Sequence, residues 1–284
     1  MPRTPMETYT GQLKKVAGLY RSKTRLNYAQ AIVEGPQSVR EALVYLPSAI
    51  RDVYITQHAI ERHGDIDRLL LDLDPYTHIL PDELSNRIAP NAQGIFAVIS
   101  VPDEERFDSV VERGKLLVCA IRSVDPGNLG TIIRSADAAG ADAVILGRGS
   151  VDATNPKVIR SSAGSYFHIP IIEDEDVASV VERVQRAGFQ ILAADGGGTH
   201  DLGQLSDKAL RATLLGEALA EVDLRRPTLW LVGNEAHGFS QEELSWADGI
   251  VRIPMWGKSE SLNAAVATSL CLYASAHAHN RTIS

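Results

Sequence analysis

The chain has 284 residues, 44% of them hydrophobic and 23% charged, an ordinary globular composition that excludes a mostly disordered chain. Its length calls for one large domain or two modest ones. The net charge of −8 disfavours a polyanionic partner, but the distribution of charge points the other way. Residues 1–51 hold eight basic side chains against three acidic ones, a net +5, which leaves −13 on the rest. A solvated basic helix explains such a stretch equally well on charge alone. Lys14 and Lys15, then Arg21, Lys23 and Arg25 interleaved with Tyr20 and Tyr28, tilt the reading toward an RNA-facing end. No apolar run approaches the roughly 18 residues of a membrane span, and residues 1–5 lack a signal-peptide pattern, so a cytoplasmic location is expected. Cys119 and Cys271 lie in apolar surroundings and read as buried thiols rather than as a disulfide framework or zinc site.

In chain order, helical spacing covers residues 7–19 and 36–46, the second opening at Gly35 and Pro36 with Val39, Leu43 and Leu46 on one face. Strands are predicted at 52–56 and 94–101, with a helical stretch at 57–73 between them. Residues 102–108 are polar and read as a linker. Beyond them short apolar strands alternate with helices. The strands fall at 116–121, 143–146, 169–172, 190–194, 228–232 and 249–253. The helices fall at 130–139, 157–162, 177–187 and 262–276, with a further helical insertion at 205–226. That alternation predicts an α/β fold, a parallel doubly wound sheet preceded by a small α/β domain.

Familiar nucleotide and hydrolase motifs fail. Gly147 and Gly149 follow a strand, but Asp152 stands where the third glycine of a dinucleotide fingerprint belongs. There is no P-loop and no G-x-S-x-G elbow. Asp195 followed by Gly196, Gly197 and Gly198 could approach a ligand with open backbone, or be a plain polar loop. His277 and His279 diverge by about 200° on a helix and do not chelate. Three other segments stand out. In the first, which starts at Asp125, Pro126 and Gly127 force a turn, Asn128 can cap, and Arg134 sits in the helix that follows. A guanidinium at that end of a parallel sheet is placed to meet phosphate or ribose, unless it is merely exposed. The second is an apolar strand running into Gly233, Asn234 and Glu235. The third runs from Ile253 and Pro254 through Met255 and Gly257 to Ser261, Leu262 and Asn263, ahead of an alanine-rich helix. Its polar residues could be helix caps and nothing more.

Taken jointly and in this order, these segments resemble motifs 1, 2 and 3 of the SpoU (TrmH-type) RNA 2′-O-ribose methyltransferases of the SPOUT superfamily. Asn128, Leu129, Gly130 and Arg134 match the first; Gly233, Asn234, Glu235 and Gly238 the second. Ile253, Pro254, Met255 and Gly257, with Ser261, Leu262 and Asn263, match the third. Residues 31–37 and 92–98 resemble pieces of the L30e-like substrate-binding domain of that family. The resemblance implies residues 1–105 as the L30e-like RNA domain and 106–284 as the SPOUT domain, with a deep C-terminal trefoil knot built by motifs 2 and 3. It implies a homodimer acting on structured RNA, ribosomal ahead of transfer RNA, with S-adenosylmethionine as methyl donor and neither metal nor membrane.

The same resemblance makes Arg134 the catalytic residue, with Asn128, Glu235, Ser261 and Asn263 assisting. Ala194, Gly233, Ile253, Met255 and Leu262 become the cofactor contacts, and Lys14, Lys15, Arg21, Lys23 and Arg25 the RNA contacts. Arginine stays protonated above pH 12, so a phosphate-holding and alkoxide-stabilising role is favoured over that of a general base. Three rivals stand beside this reading: a transfer-RNA methyltransferase, a catalytically silent RNA-binding module on the same fold, and an oxidoreductase using Asp195 to Gly198.

Overall fold

The computed structural model describes residues 3–103, 107–234 and 238–280. The chain divides into two compact units, residues 1–103 with 152–168, and residues 104–151 with 169–284. Residues 152–168, expected in the second domain from sequence, thus belong with the first unit.

In the first unit, β1 (Thr4–Pro5), β2 (Gln30–Glu34), β3 (Ile50–Thr56), β4 (Thr77–Leu80) and β5 (Ile95–Ser100) form one sheet in the order β1-β4-β3-β5-β2. β5 runs antiparallel to both β2 and β3, while β4 runs parallel to β1 and β3. Alternation sends Ala31, Val33, Val53 and Ile55 to one face and Ile32, Tyr54, Phe96 and Val98 to the other, and each face carries its own buried cluster. The helical stretch expected at 57–73 breaks at His63, so Gln57–Arg62 and Gly64–Leu73 are separate helices. A second helix, Ser22–Tyr28, follows Gly11–Gly18 within the basic stretch.

Residues 152–168 are tied to this unit by two ion pairs. Arg25, 3% exposed, makes a forked contact with Asp152 at 3.0 and 2.7 Å, donates to Thr154 Oγ1 and caps the carbonyls of Leu19 and Tyr20. Arg160 reaches the buried carboxylate of Glu34, whose other oxygen accepts from Tyr20 Oη at 2.5 Å. Ile159 completes the apolar cluster against Val33 and Val39. Gly164 allows the turn that follows: its φ is +106°, and a Cβ there would collide with the Glu41 side chain.

The second unit is a seven-stranded sheet. Its strands are β6 (Leu116–Ala120), β7 (Ala143–Gly147), β8 (Ile171–Glu175), β9 (Gln190–Ala194), β10 (His200–Asp201), β11 (Thr228–Val232) and β12 (Gly249–Arg252). They lie in the order β10-β12-β9-β11-β6-β7-β8, all paired in parallel. Central strands of such a sheet are covered on both faces, which is why β6 is apolar throughout, β11 is apolar after Thr228, and both are buried along their length. The helix after β6 begins earlier than expected, at Pro126–Ala138. Asp125 is its cap, accepting from Asn128 N at 2.8 Å, and Pro126 takes the first turn, where no amide donor is needed.

The final helix, Ala264–His279, packs along Pro126–Ala138, with Ser135 and Ser269 hydroxyls 2.6 Å apart. Its small residues permit that approach, and it also covers β11, where the Trp230 indole donates to Ser275 Oγ at 3.0 Å in a fully buried setting. Both cysteines are buried, and burial pushes each thiol up to about 12, so neither is a nucleophile near neutrality. Among the described residues no helix is long and apolar enough to cross a membrane.

Candidate functional site

Ligands of parallel sheets bind beyond the carboxyl ends of the strands, where backbone groups are left without ladder partners. In the second unit a cavity of about 480 Å³ opens at the ends of β9, β11 and β12. Ala194 lines it from β9 and Gly233 from the turn after β11. Ile253, Met255, Ser261, Leu262 and Asn263 line it from the segment after β12, and Asn128 from the start of Pro126–Ala138. The three sequence segments therefore converge on one space. Arg134 does not reach it. It stands exposed on Pro126–Ala138, with no hydrogen bond or ion pair to any described residue. Glu235 lies outside the described residues.

The wall is held by short-range bonds. Asn263 caps the last helix, its Oδ1 accepting from Ala265 N and Val266 N, while its Nδ2 donates to Asn128 Oδ1 at 2.9 Å. Motif 1 and motif 3 are thereby joined side chain to side chain. Asn234 donates to the Arg122 carbonyl at 2.7 Å and pairs with Gly238, whose amide donates to the Asn234 carbonyl at 2.8 Å. Gly233 leaves little room for a side chain: a Cβ would sit 3.1 Å from the Phe239 ring and 3.2 Å from the Gly238 carbonyl carbon, so those neighbours would have to give way.

One positioning pair was not foreseen from sequence. The Arg122 guanidinium takes Glu243 in a two-pronged contact, and Glu243 also closes a capping box with Ser240 on the helix Gln241–Ser245. Ser240 followed three residues later by Glu243 was a readable signal for that box. The Arg122 guanidinium beside it, with help from the Ser240 amide and hydroxyl, holds the Glu243 carboxyl below its ordinary value of 4.5. A carboxyl depressed on folding stabilises the fold above its unfolded pKa and loses that effect as pH falls through the folded value. Arg122→Gln should therefore lower the unfolding midpoint at pH 7 and make little difference once pH lies well below 4.5. Urea titrations of both proteins across that range check it.

The cavity fits S-adenosylmethionine. Its size lies within the range of about 300–1,000 Å³ typical of small-molecule sites. Val232, Phe239, Val251 and Leu262 give it an apolar side suited to an adenine ring, and asparagines, a serine and strand-end backbone supply polar contacts. Among the described residues no group of three or more His, Cys, Asp or Glu could hold a metal ion.

Comparison with known proteins agrees with this geometry. Residues 115–273 match the model of the SpoU rRNA Methylase family. The chain is 32% identical over 258 residues to the 23S rRNA (guanosine(2553)-2′-O)-methyltransferase RlmP of Bacillus subtilis, covering 90% of this chain and 92% of that one. It is 29% identical to the 23S rRNA (guanosine-2′-O-)-methyltransferase RlmB of Bordetella pertussis, covering 86% and 96%. In structure it resembles the SpoU methyltransferase AviRb of Streptomyces viridochromogenes in complex with AdoMet, with a TM-score of 0.76 at 26% identity, covering 94% and 98% of the two chains. With the cavity motifs inside the matched span, the chain belongs to the SpoU rRNA methylase family.

Proposed function

We propose that this protein transfers the methyl group of S-adenosylmethionine to a ribose 2′-hydroxyl of 23S ribosomal RNA in the cytoplasm. The observation that carries this reading is the convergence of three sequence-distant motifs on one cavity of cofactor size. S-adenosylmethionine supplies an electrophilic methyl on a positively charged sulfur, which leaves the protein with alignment and proton management. Ala194, Gly233, Ile253, Met255 and Leu262 hold the donor. The Asn128–Asn263 bond fixes the polar rim where the ribose must arrive, with Ser261 beside it. Arg134 grips an RNA phosphate and stabilises the forming alkoxide, and Glu235 assists.

A single copy leaves Arg134 away from the cavity, and this supports a homodimer with the site completed near the interface. An apolar groove of about 760 Å³ runs along Ala264–His279, walled by Leu270, Tyr273 and Ala274, by Leu202 at the start of Leu202–Leu215, by Trp256 after β12, and by Ala138 at the end of Pro126–Ala138. Arg134 is one helical turn from Ala138 on the same stripe, beside the groove in which we place a second copy. The SPOUT knot belongs to the same reading: the segments after β11 and β12 lie together in the cavity wall, and the closely packed final helix follows them.

The first unit serves as the L30e-like RNA-binding domain. Lys14, Lys15, Arg21 and Lys23 are exposed there, with Lys15 Nζ 4.0 Å above the Tyr28 ring. Arg25 is withdrawn from the RNA-binding set, because it is buried in the Asp152 pair. Replacing Lys14, Lys15, Arg21 and Lys23 by glutamine should weaken RNA binding and reduce the salt slope by up to about 3, while S-adenosylmethionine affinity stays unchanged. Filter binding across a salt series reads both quantities. The function itself is tested by mapping 2′-O-methyl groups in ribosomal RNA from cells with and without the gene. Loss of one 23S site supports it; an unchanged ribosomal map with loss in transfer RNA favours the transfer-RNA reading.

A further inference from the structure

Asp195 opens the glycine-rich turn after β9 that no part of the reaction so far employs. It lines the cofactor cavity, as does Glu260 in the segment before Ser261. These two carboxylates are the only ionisable side chains among the described residues of the lining. Asp195 is fixed in place. Its amide donates to the Val251 carbonyl at 3.0 Å, and its Oδ1 accepts from Gly197 N at 2.8 Å. Its Oδ2 and the Glu260 carboxylate have no hydrogen-bond or ion-pair partner among the described residues.

Two carboxylates with no cation beside them among the described residues, Asp195 half-buried and Glu260 at the exposed lip, set up a negative potential that a neutral ligand does not offset and a cation does. We infer that Asp195 and Glu260 make the cavity selective for charge, so that it holds S-adenosylmethionine more tightly than the S-adenosylhomocysteine left after transfer. This rests on the reading of the cavity as the S-adenosylmethionine site. The chemistry supplies the contrast. The donor carries a sulfonium, an ammonium and a carboxylate, a net +1. During transfer the S–CH₃ bond breaks with its electron pair kept on sulfur, the O–CH₃ bond forms, and the hydroxyl proton leaves to solvent. The remaining thioether is uncharged and its molecule is neutral overall. The attraction to both carboxylates thus falls when the reaction is complete, which favours exchange of product for fresh donor.

The test is calorimetry on the full chain: wild type, Asp195→Asn, Glu260→Gln and the double variant, each with S-adenosylmethionine, S-adenosylhomocysteine and sinefungin. Sinefungin carries a protonated amine near the sulfonium position and cannot donate a methyl. Asparagine keeps the acceptor for Gly197 N, so the turn is expected to stay folded, and thermal melts verify this. Wild type should prefer S-adenosylmethionine and sinefungin over S-adenosylhomocysteine by about tenfold at low salt. The preference should drop to about twofold or less in the double variant, with S-adenosylhomocysteine affinity nearly unchanged. A wild-type preference near one, or one that survives in a folded double variant, overturns the inference and leaves the cofactor site standing. If wild type binds none of the three ligands, the cofactor reading falls and takes this inference with it.

Discussion

Arg134→Ala should lower methylation of the natural RNA by about 10²–10³-fold, the scale of losing one preorganised electrostatic contact in a transition state. Its unfolding midpoint and S-adenosylmethionine affinity should stay near wild type. The asymmetry follows from position. The side chain is exposed, has no bond to any described residue, and does not line the cofactor cavity. Exposed substitutions of that kind shift stability by about 0.5 kcal/mol or less. Arg134→Lys separates two roles. It keeps the charge and loses the planar fork, so a phosphate-holding arginine leaves partial activity with lysine, whereas a proton-accepting one leaves almost none. Single-turnover rates with saturating donor, set beside thermal melts, give the answer. Near-normal turnover in the alanine variant would mean that the catalytic group lies elsewhere.

Arg25→Ala should do the opposite and act on stability first. The guanidinium is buried, forked onto Asp152 and bonded to two backbone carbonyls and Thr154. Removing one partner of a buried, hydrogen-bonded pair costs about 3 kcal/mol, because the groups left behind lose that compensation; among the described residues only Thr154 Oγ1 still donates to Asp152 Oδ1. Asp152 is about one-third exposed and can rehydrate in part, which keeps the loss at the lower end of such cases. Asp152→Asn should give a smaller loss in the same direction, and Arg25→Lys should not restore wild-type stability. Urea unfolding of the full chain measures all three. Wild-type stability together with weakened RNA binding would return Arg25 to the RNA surface.

Arg25 also shows where sequence reasoning stops. In the chain it is one of three alternating basic residues, indistinguishable in type from Arg21 and Lys23. What separates it is Asp152, more than a hundred residues away, and only the fold brings the two together. The same long-range packing moved residues 152–168 into the first unit. Local signals fared better. Period and composition placed every major strand of the second sheet within a few residues, because buried parallel strands are short apolar runs between turn residues. The short edge strands Thr4–Pro5 and His200–Asp201 carry too few residues for any alternation to register. At the site, resemblance named residues that line the cavity, such as Asn128, Gly233 and Asn263, and one that does not, Arg134, while Arg122 and Glu243 went unnoticed. Their pairing joins segments 121 positions apart, and only the capping-box half was written locally.

Methyl transfer to a ribose hydroxyl has one direct chemical readout. A 2′-O-methyl group removes the nucleophile that alkali uses to cut the adjacent phosphodiester, so a modified nucleotide survives hydrolysis as part of a dinucleotide. Purified protein should be incubated with methyl-labelled S-adenosylmethionine and unmodified 23S ribosomal RNA, and the RNA hydrolysed to completion in alkali. Label is expected in a single alkali-resistant dinucleotide, with none when transfer RNA replaces the ribosomal RNA. Label in mononucleotides would place the methyl on a base, and that result would contradict ribose methylation outright.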